Sequence, residues 1–216
     1  MVPSGPLKPR LRGVLHEYGF FVSLVCGVAL ILAASDGRAR LAATIYAFAV
    51  SGLLGTSALY HRVTWRPSAR RWMRRLDHSM IFVLIAGTYT PVALLALKGS
   101  LASTVLIVLW AGALGGAVFK LLWIDAPKWL FAAVYVALGL VTAAVFGELP
   151  AAIGWLGAGG LACGGLLYLV GAIVYASGRP NPWPKVFGYH EVFHTLVLVA
   201  AALQYAVIAF AVLPRG

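Results

Sequence analysis

The stretch 189–194 reads Tyr-His-Glu-Val-Phe-His and opens the last apolar run of the chain. Its two histidines, His190 and His194, are four residues apart, a spacing that places side chains on one face of a helix. A second stretch, 55–61, reads Gly-Thr-Ser-Ala-Leu-Tyr-His and closes an earlier apolar run, with a serine and a histidine at the same spacing. Both stretches predict polar faces at the ends of apolar helices, and the histidine pair has the spacing of metal ligands.

The composition of the 216 residues indicates a membrane protein. Hydrophobic residues make up 62% of the chain and charged residues 11%, whereas soluble domains carry about 25% charged residues. Seven apolar runs follow a basic tail, and most have about the 20 residues that a helix needs to cross a bilayer. They cover residues 18–35, 41–60, 77–97, 101–120, 129–147, 151–176 and 191–213.

These runs do not alternate in hydrophobicity as the strands of a membrane barrel do. The sequence therefore predicts an all-α integral membrane protein, a bundle of seven transmembrane helices. Residues 17–216 are expected to form this single membrane domain. Residues 1–16 are expected to form a short, basic, disordered tail in the cytoplasm.

The basic residues set the expected orientation of the bundle. In a seven-span arrangement, 13 Lys and Arg lie on the side of the N-terminal tail and 4 lie on the other side. By the positive-inside rule, the N-terminus is cytoplasmic and the C-terminus is outside. Lipid headgroups then account for the net charge of +11, so the bilayer is the expected partner and nucleic acid is not.

This orientation brings polar residues from three runs to one depth. Ser57 and His61 end the second run, Asp77 begins the third, and His190 and His194 begin the seventh. All five are therefore expected at the cytoplasmic end. An aspartate inside a span costs about 2.5–3.5 kcal/mol on insertion scales, so ionisable residues there normally mark a function.

The residue types at this depth point to zinc. Three neutral imidazoles bind zinc and leave a fourth position for water, as in catalytic sites, so we predict that His61, His190 and His194 are ligands of Zn²⁺. Asp77 is the expected group that orients this water or accepts its proton. Ser57 is expected either to donate to a developing oxyanion or to fix Asp77, and both roles stay open.

Other polar and small residues have simpler interpretations. His16 and His78 are interpreted as anchors at the membrane interface, and the arginine-rich segment 62–75 as a loop that faces headgroups. The seven glycines of the sixth run predict close packing against neighbouring helices. Pro91 predicts a kink in the third helix.

Residues 190–194 also match the pattern His-Glu-x-x-His, in which two histidines bind zinc and the glutamate is the general base of a metalloprotease. Glu191 lies about 100° around the helix from His190, so it is able to face either the site or a neighbouring helix. An intramembrane metalloprotease that uses Glu191 is therefore an alternative function.

The full motif set resembles the bacterial hemolysin III family. It comprises Ser-x-x-x-His, Asp and His-x-x-x-His in this order, together with Leu-Asp-His at 76–78 and Ala-Gly-Thr-Tyr-Thr-Pro at 86–91. The family belongs to a superfamily with the progestin and adipoQ receptors and the alkaline ceramidases, and the resemblance covers essentially all seven runs. The short tail lacks the large N-terminal region of the receptors, so hormone recognition is not expected.

The resemblance implies seven helices in the bacterial cell membrane and a zinc site on the cytoplasmic side with the three histidines as ligands. By analogy with the ceramidases, it also implies hydrolysis of lipid amides. We therefore predict a zinc-dependent membrane hydrolase that cleaves an amide or ester bond of a membrane lipid. The main alternative is a receptor-like or pore-forming protein whose zinc is structural. The sequence specifies neither the substrate nor the oligomeric state.

Overall fold

The chain forms a bundle of α-helices, as the composition predicts. The computed structural model describes residues 8–141 and 143–216. Its helices are α1 Val14–Leu32, α2 Gly37–Arg62, α3 Pro67–Pro91, α4 Gly99–Leu122, α5 Lys128–Leu140, α6 Leu149–Ser177 and α7 Tyr189–Val207. Short π-helical turns at Val92–Ala96 and Ile208–Val212 extend α3 and α7, and 3₁₀ turns occupy Ala143–Glu148 and Leu213–Arg215. The all-α class is confirmed.

Six helical stretches of the described residues are long and apolar enough to cross a membrane, so the chain is a multi-pass membrane protein. One of them, Trp129–Ser177, has 49 residues. A straight helix of this length would measure about 74 Å, more than twice the ~30 Å thickness of the hydrocarbon core. Gly154, with φ of 76°, breaks the helical backbone within it. The expected seventh span and the orientation stay predictions.

The helix boundaries follow local signals. The Asp36 side chain accepts a hydrogen bond of 2.7 Å from Ala39 N and so caps α2, because the first N–H groups of a helix have no partner within it. At Pro91, the expected kink takes the form of a passage from α-helix to π-helix. α5 ends at Leu140, seven residues before the end of the fifth apolar run, so this helix is shorter than expected.

The glycines of α6 allow it to lie close to α7. Those that face α7 and its extension are Gly157, Gly160, Gly164 and Gly171. At Gly164 a Cβ atom would overlap the side chain of Gln204, which is buried and donates a 3.1 Å hydrogen bond to the carbonyl of Leu161. The predicted packing role is confirmed for these four glycines. It is wrong for Gly159 and Gly165, where a Cβ atom would meet nothing within 4 Å, and Gly154 interrupts the helix instead.

The segment before α1 packs against the loop that precedes α7. Arg10 N and Leu11 N donate 3.1 Å hydrogen bonds to the carbonyls of Lys185 and Val186. α1 begins at Val14, four residues before the first apolar run. The expectation of a disordered tail is therefore wrong for residues 8–16, and residues 1–7 of that tail lie outside the described residues.

Candidate metal centre

Three histidines meet at one end of the bundle, which we call the histidine end. His61 lies in the last turn of α2, and His190 and His194 lie in the first two turns of α7. One ring nitrogen from each lies within 4.8 Å of the other two, and all three side chains are buried. Their ring planes are inclined to one another by 60° to 72°, so these three rings do not stack and their nitrogens are able to face a common centre.

The spacing of these nitrogens fits a zinc ion. Zinc takes histidine nitrogens at about 2.0–2.1 Å in tetrahedral geometry, which separates two ligating nitrogens by roughly 3.3 Å. The Nε2 atoms of His61 and His190 lie 3.2 Å apart. A buried set of three imidazoles is also a donor set that zinc favours, and it leaves one position for water or substrate.

Asp77 and Ser57 lie beside the histidines, as the depth argument predicts. The Oδ2 atom of Asp77 is 3.8 Å from Nε2 of His61. The side chain of Ser57, one turn before His61, lies beside the Asp77 carboxyl group and interacts with it. Both residues are buried. The two roles left open for Ser57 stay predictions.

The two histidines interpreted as interface anchors lie at this site instead. His16 of α1 is buried, and its ring stacks on that of His194 with centroids 3.7 Å apart and planes inclined by 5°. Because an imidazole binds metal in its own plane, a ring lying flat on His194 supports that ligand rather than adding a fourth. Nε2 of His78 lies 3.9 Å from Oδ2 of Asp77. The one sequence signal for His16 is its place near the start of the first run, at the predicted depth of the other histidines.

Glu191 is held outside the histidine cluster. Its Oε1 atom pairs with Nε of Arg12, and its Oε2 atom accepts a 2.8 Å hydrogen bond from Gly188 N. The second bond is half of a capping box, in which a side chain in the first turn of a helix accepts a hydrogen bond from the backbone N–H of the N-cap residue. One carboxylate oxygen therefore ties the N-terminal segment to α7 and the other caps α7 itself, an arrangement that disfavours Glu191 as a general base.

Positive charge surrounds the outer side of the histidine end. Lys8, outside the membrane spans, donates a hydrogen bond to the carbonyl oxygen of His61. Partial burial lowers the pKa of Lys8, and the nearby charges of Arg70, Arg62 and Arg12 lower it further. Sequence reasoning missed this contact because residue 8 is separated from His61 by a whole helical hairpin.

A cavity of about 570 Å³ begins at the histidine end and extends between the helices. His190, His194, Asp77 and Ser57 are part of its wall. Most of the other lining residues are apolar side chains of α3, α5 and α6. This volume lies in the usual range of small-molecule sites, about 300–1,000 Å³, and an apolar wall suits a hydrocarbon chain.

The fold and the site together define a multi-pass helical membrane protein with a buried histidine cluster at one end of its bundle. Residues 5–205 match the family model described as "Haemolysin-III related". The chain therefore belongs to the hemolysin III family, and the resemblance predicted from the motif set is confirmed.

Similar proteins cover nearly the whole chain. The "Hemolysin-3 homolog" of Bacillus subtilis (strain 168) is 36% identical over 202 residues, which cover 92% of each chain. "Hemolysin-3" of Bacillus cereus is 32% identical over 208 residues, 95% of this chain and 92% of the relative. The human "Monocyte to macrophage differentiation factor" is 29% identical over 213 residues, 93% of this chain and 86% of the relative. No solved structure matches this chain.

Proposed function

We propose that this chain is a zinc-dependent membrane hydrolase that cleaves an amide or ester bond of a lipid. The observation that carries the proposal is the position of Asp77, a buried carboxyl group 3.8 Å from a histidine cluster whose spacing fits zinc. Structural zinc sites normally have four protein ligands. Three histidine ligands beside a cavity with apolar walls instead favour a site that admits water and a lipid chain.

Each residue then has a distinct task. His61, His190 and His194 hold the metal; when bound, zinc lowers the pKa of a water molecule towards neutrality and polarises a carbonyl oxygen. Asp77 accepts the proton of the attacking water and returns it to the leaving amine or alcohol. Ser57, whose side chain interacts with the Asp77 carboxyl group, holds that group in place.

The Asp77→Asn variant separates chemistry from metal binding. It keeps the size of the side chain but loses the base, so we expect most zinc to be retained and hydrolysis to fall by about 10²–10⁴-fold. Glu191→Gln is the matched control, because it changes an acid that caps α7, and its effect on hydrolysis should be much milder. Zinc content and cleavage of ceramide-like amides, phospholipid esters and membrane peptides are measured on the same preparations.

The outcomes of this assay separate the functions. Full lipid hydrolysis by Asp77→Asn would overturn the mechanism. Peptide cleavage that disappears in Glu191→Gln but survives in Asp77→Asn would support the intramembrane metalloprotease instead.

A pore-forming protein with structural zinc is the second candidate, favoured by the name "Hemolysin-3" that the Bacillus cereus relative carries. In that case zinc-loaded wild-type protein cleaves none of the lipids or peptides, and removal of the metal lowers the temperature of unfolding. Leakage of a dye from vesicles that contain the protein measures the lytic activity directly.

The proposal includes seven spans of the cell membrane, with the histidine end in the cytoplasm. The 13 to 4 division of basic residues supports this orientation. Contact between α5 and α6, with the break at Gly154 near the start of α6, supports two separate spans within Trp129–Ser177.

Thiol labelling tests this topology. The variants Arg66→Cys and Arg215→Cys, each in a background without Cys26 and Cys163, should react with an impermeant reagent from opposite sides of the membrane. Reaction of both from the same side would contradict the seven-span arrangement.

A further inference from the structure

Two buried hydroxyl groups in the cavity wall have no hydrogen-bond partner among the described residues. They are Oγ1 of Thr88 on α3 and the OH of Tyr168 on α6. Both residues line the cavity that contains the histidine cluster. Thr88 is 2% exposed, so bulk solvent does not replace the missing partner.

Neighbouring hydroxyl groups show that the bundle is able to satisfy such side chains. Thr90, two residues later, donates a 2.8 Å hydrogen bond to the carbonyl of Ala86 and accepts a 3.1 Å bond from Nε1 of Trp110. The OH of Tyr46 donates a 3.2 Å bond to a backbone carbonyl of α7. Neither Thr90 nor Tyr46 is among the residues that line the cavity. The unpaired hydroxyls are therefore specific to the cavity wall.

An unpaired buried hydroxyl costs free energy. The penalty for a buried polar group without a partner is about 1–3 kcal/mol, and such groups in folded proteins are normally completed by a ligand or an ordered water. A helical threonine is able to bond the carbonyl four residues earlier, as Thr90 does. Thr88 makes no such bond, which leaves its hydroxyl available to an occupant of the cavity.

The depth of the two hydroxyls identifies which part of a lipid they meet. Thr88 follows Asp77 by 11 positions in α3, which is about 16 Å along the helix axis. Tyr168 precedes Tyr175 by seven positions in α6, about 10 Å, and the Tyr175 ring lies 5.8 Å from that of His190. A lipid whose cleaved bond lies at Asp77 therefore passes the depth of Tyr168 and then the depth of Thr88 along the middle of its chain.

We propose that Thr88 and Tyr168 form a second polar subsite, which binds a hydroxyl or oxo group carried in the middle of a lipid acyl chain. The inference rests on the proposed function in treating the cavity as a lipid site, and it adds a substrate class. An unmodified hydrocarbon leaves both hydroxyls unpaired, whereas an oxo group accepts a hydrogen bond from one of them and a hydroxyl group is able both to donate and to accept. Sites built to bind a polar group discriminate against analogues that lack it.

A binding experiment tests the subsite without requiring hydrolysis. Binding of 10-hydroxystearate and of stearate to delipidated protein in detergent is measured by calorimetry, with zinc loaded and with zinc removed. One additional hydrogen bond should give 10-hydroxystearate a two- to tenfold advantage, roughly. A hydroxyl near the carboxyl end, as in 2-hydroxystearate, should give no such advantage because it stays near the histidine end.

Isosteric variants assign the preference to these side chains. Thr88→Val and Tyr168→Phe should each bring the affinities for the two mid-chain probes close together, while the affinity for stearate is retained. Thr88→Ser keeps a hydroxyl and should keep the preference. Tyr46→Phe is the matched control, because it removes a hydroxyl whose partner lies outside the cavity.

Two results would overturn the subsite. The first is equal binding of stearate and 10-hydroxystearate by the wild type, which is the outcome if a buried water satisfies the two hydroxyls. The second is an unchanged preference in both Thr88→Val and Tyr168→Phe, with folding verified by thermal unfolding. Failure of the proposed hydrolysis would appear in the cleavage assay instead, so the two failures are distinguishable.

Discussion

The cavity has two polar levels, and their hydrogen-bonding groups are satisfied differently. At the histidine end, Asp77 lies beside Ser57 and His61, and His61 lies against His190. Close to them, the Glu191 carboxylate pairs with Arg12 and accepts a hydrogen bond from a backbone N–H. Deeper in the bundle, the hydroxyls of Thr88 and Tyr168 have no partner within the described part of the chain. His16 is an exception at the histidine end, because both of its ring nitrogens lack a hydrogen-bond partner among the described residues. The comparison therefore concerns the carboxyl groups at the histidine end and the two hydroxyls deeper in the bundle.

This difference has a physical basis. A metal site requires ligands in fixed orientations, and hydrogen bonds from the surrounding residues provide that orientation. A subsite for a ligand requires the reverse, since a hydroxyl already bonded to the protein gains less from an incoming group.

Loss of a histidine should produce the largest effect. Changes to residues that only hydrogen-bond a metal ligand already lower metal affinity about 10–100-fold. We therefore expect His61→Ala, His190→Ala and His194→Ala each to lower zinc affinity by roughly 100-fold or more. The zinc affinity of each variant is measured by metal analysis of the purified protein after dialysis against a zinc buffer. His78→Ala is the control and should keep its zinc. Retention of zinc by His61→Ala together with its loss from His78→Ala would show that the ligand set is wrong.

Removal of Arg12 should have an intermediate effect on stability. Arg12→Ala leaves the Glu191 carboxylate, which is 1% exposed, without its charged partner. Hydrogen bonds to charged groups contribute about 1.5–3 kcal/mol, so the temperature of unfolding in detergent should fall.

The double variant Arg12→Ala with Glu191→Gln sharpens this test. The double variant should lose less free energy of unfolding than the sum of the losses in the two single variants, because each substitution breaks the same interaction. Equal stability of Arg12→Ala and wild type would mean that the pair does not hold the N-terminal segment.

The smallest expected effect is a difference in stability between two variants in which a tyrosine is replaced by phenylalanine. Tyr46→Phe removes a satisfied hydrogen bond and should cost about 0.6–1 kcal/mol in the membrane domain. Tyr168→Phe removes an unsatisfied hydroxyl, so delipidated protein should be as stable as wild type or slightly more stable. Thermal unfolding of the two variants in the same detergent provides the comparison. Equal destabilisation would indicate that Tyr168 already has a partner, which contradicts the difference between the two levels.

Much of the histidine end was predictable from the sequence. The spacing of His190 and His194 follows from helical periodicity, and the common depth of His61 and Asp77 follows from hydropathy and the division of basic residues. Both signals can be read from the sequence without knowledge of which helices are neighbours. The number of spans was less accessible, because α5 and α6 form one long apolar stretch in which Gly154 breaks the helix.

Contacts between distant segments required the tertiary structure. Arg12 and Glu191 are 179 positions apart, and no local pattern indicates that the segment before α1 lies against the start of α7. The same packing stacks His16 on His194, so the interpretation of His16 as an anchor was wrong. Helix neighbours depend on the shapes of whole faces, and short motifs do not contain that information.

Thr88 and Thr90, in a single turn of one helix, show the difference between what a sequence predicts and what depends on helix packing. The hydropathy of the chain is enough to place both residues in an apolar helix, where a hydroxyl needs a partner. The packing of the helices is what gives Thr90 a bond with Trp110 of α4 and leaves Thr88 in the wall of the cavity. Residues two positions apart point about 200° away from each other around a helix, so their surroundings depend on which helices pack against each side.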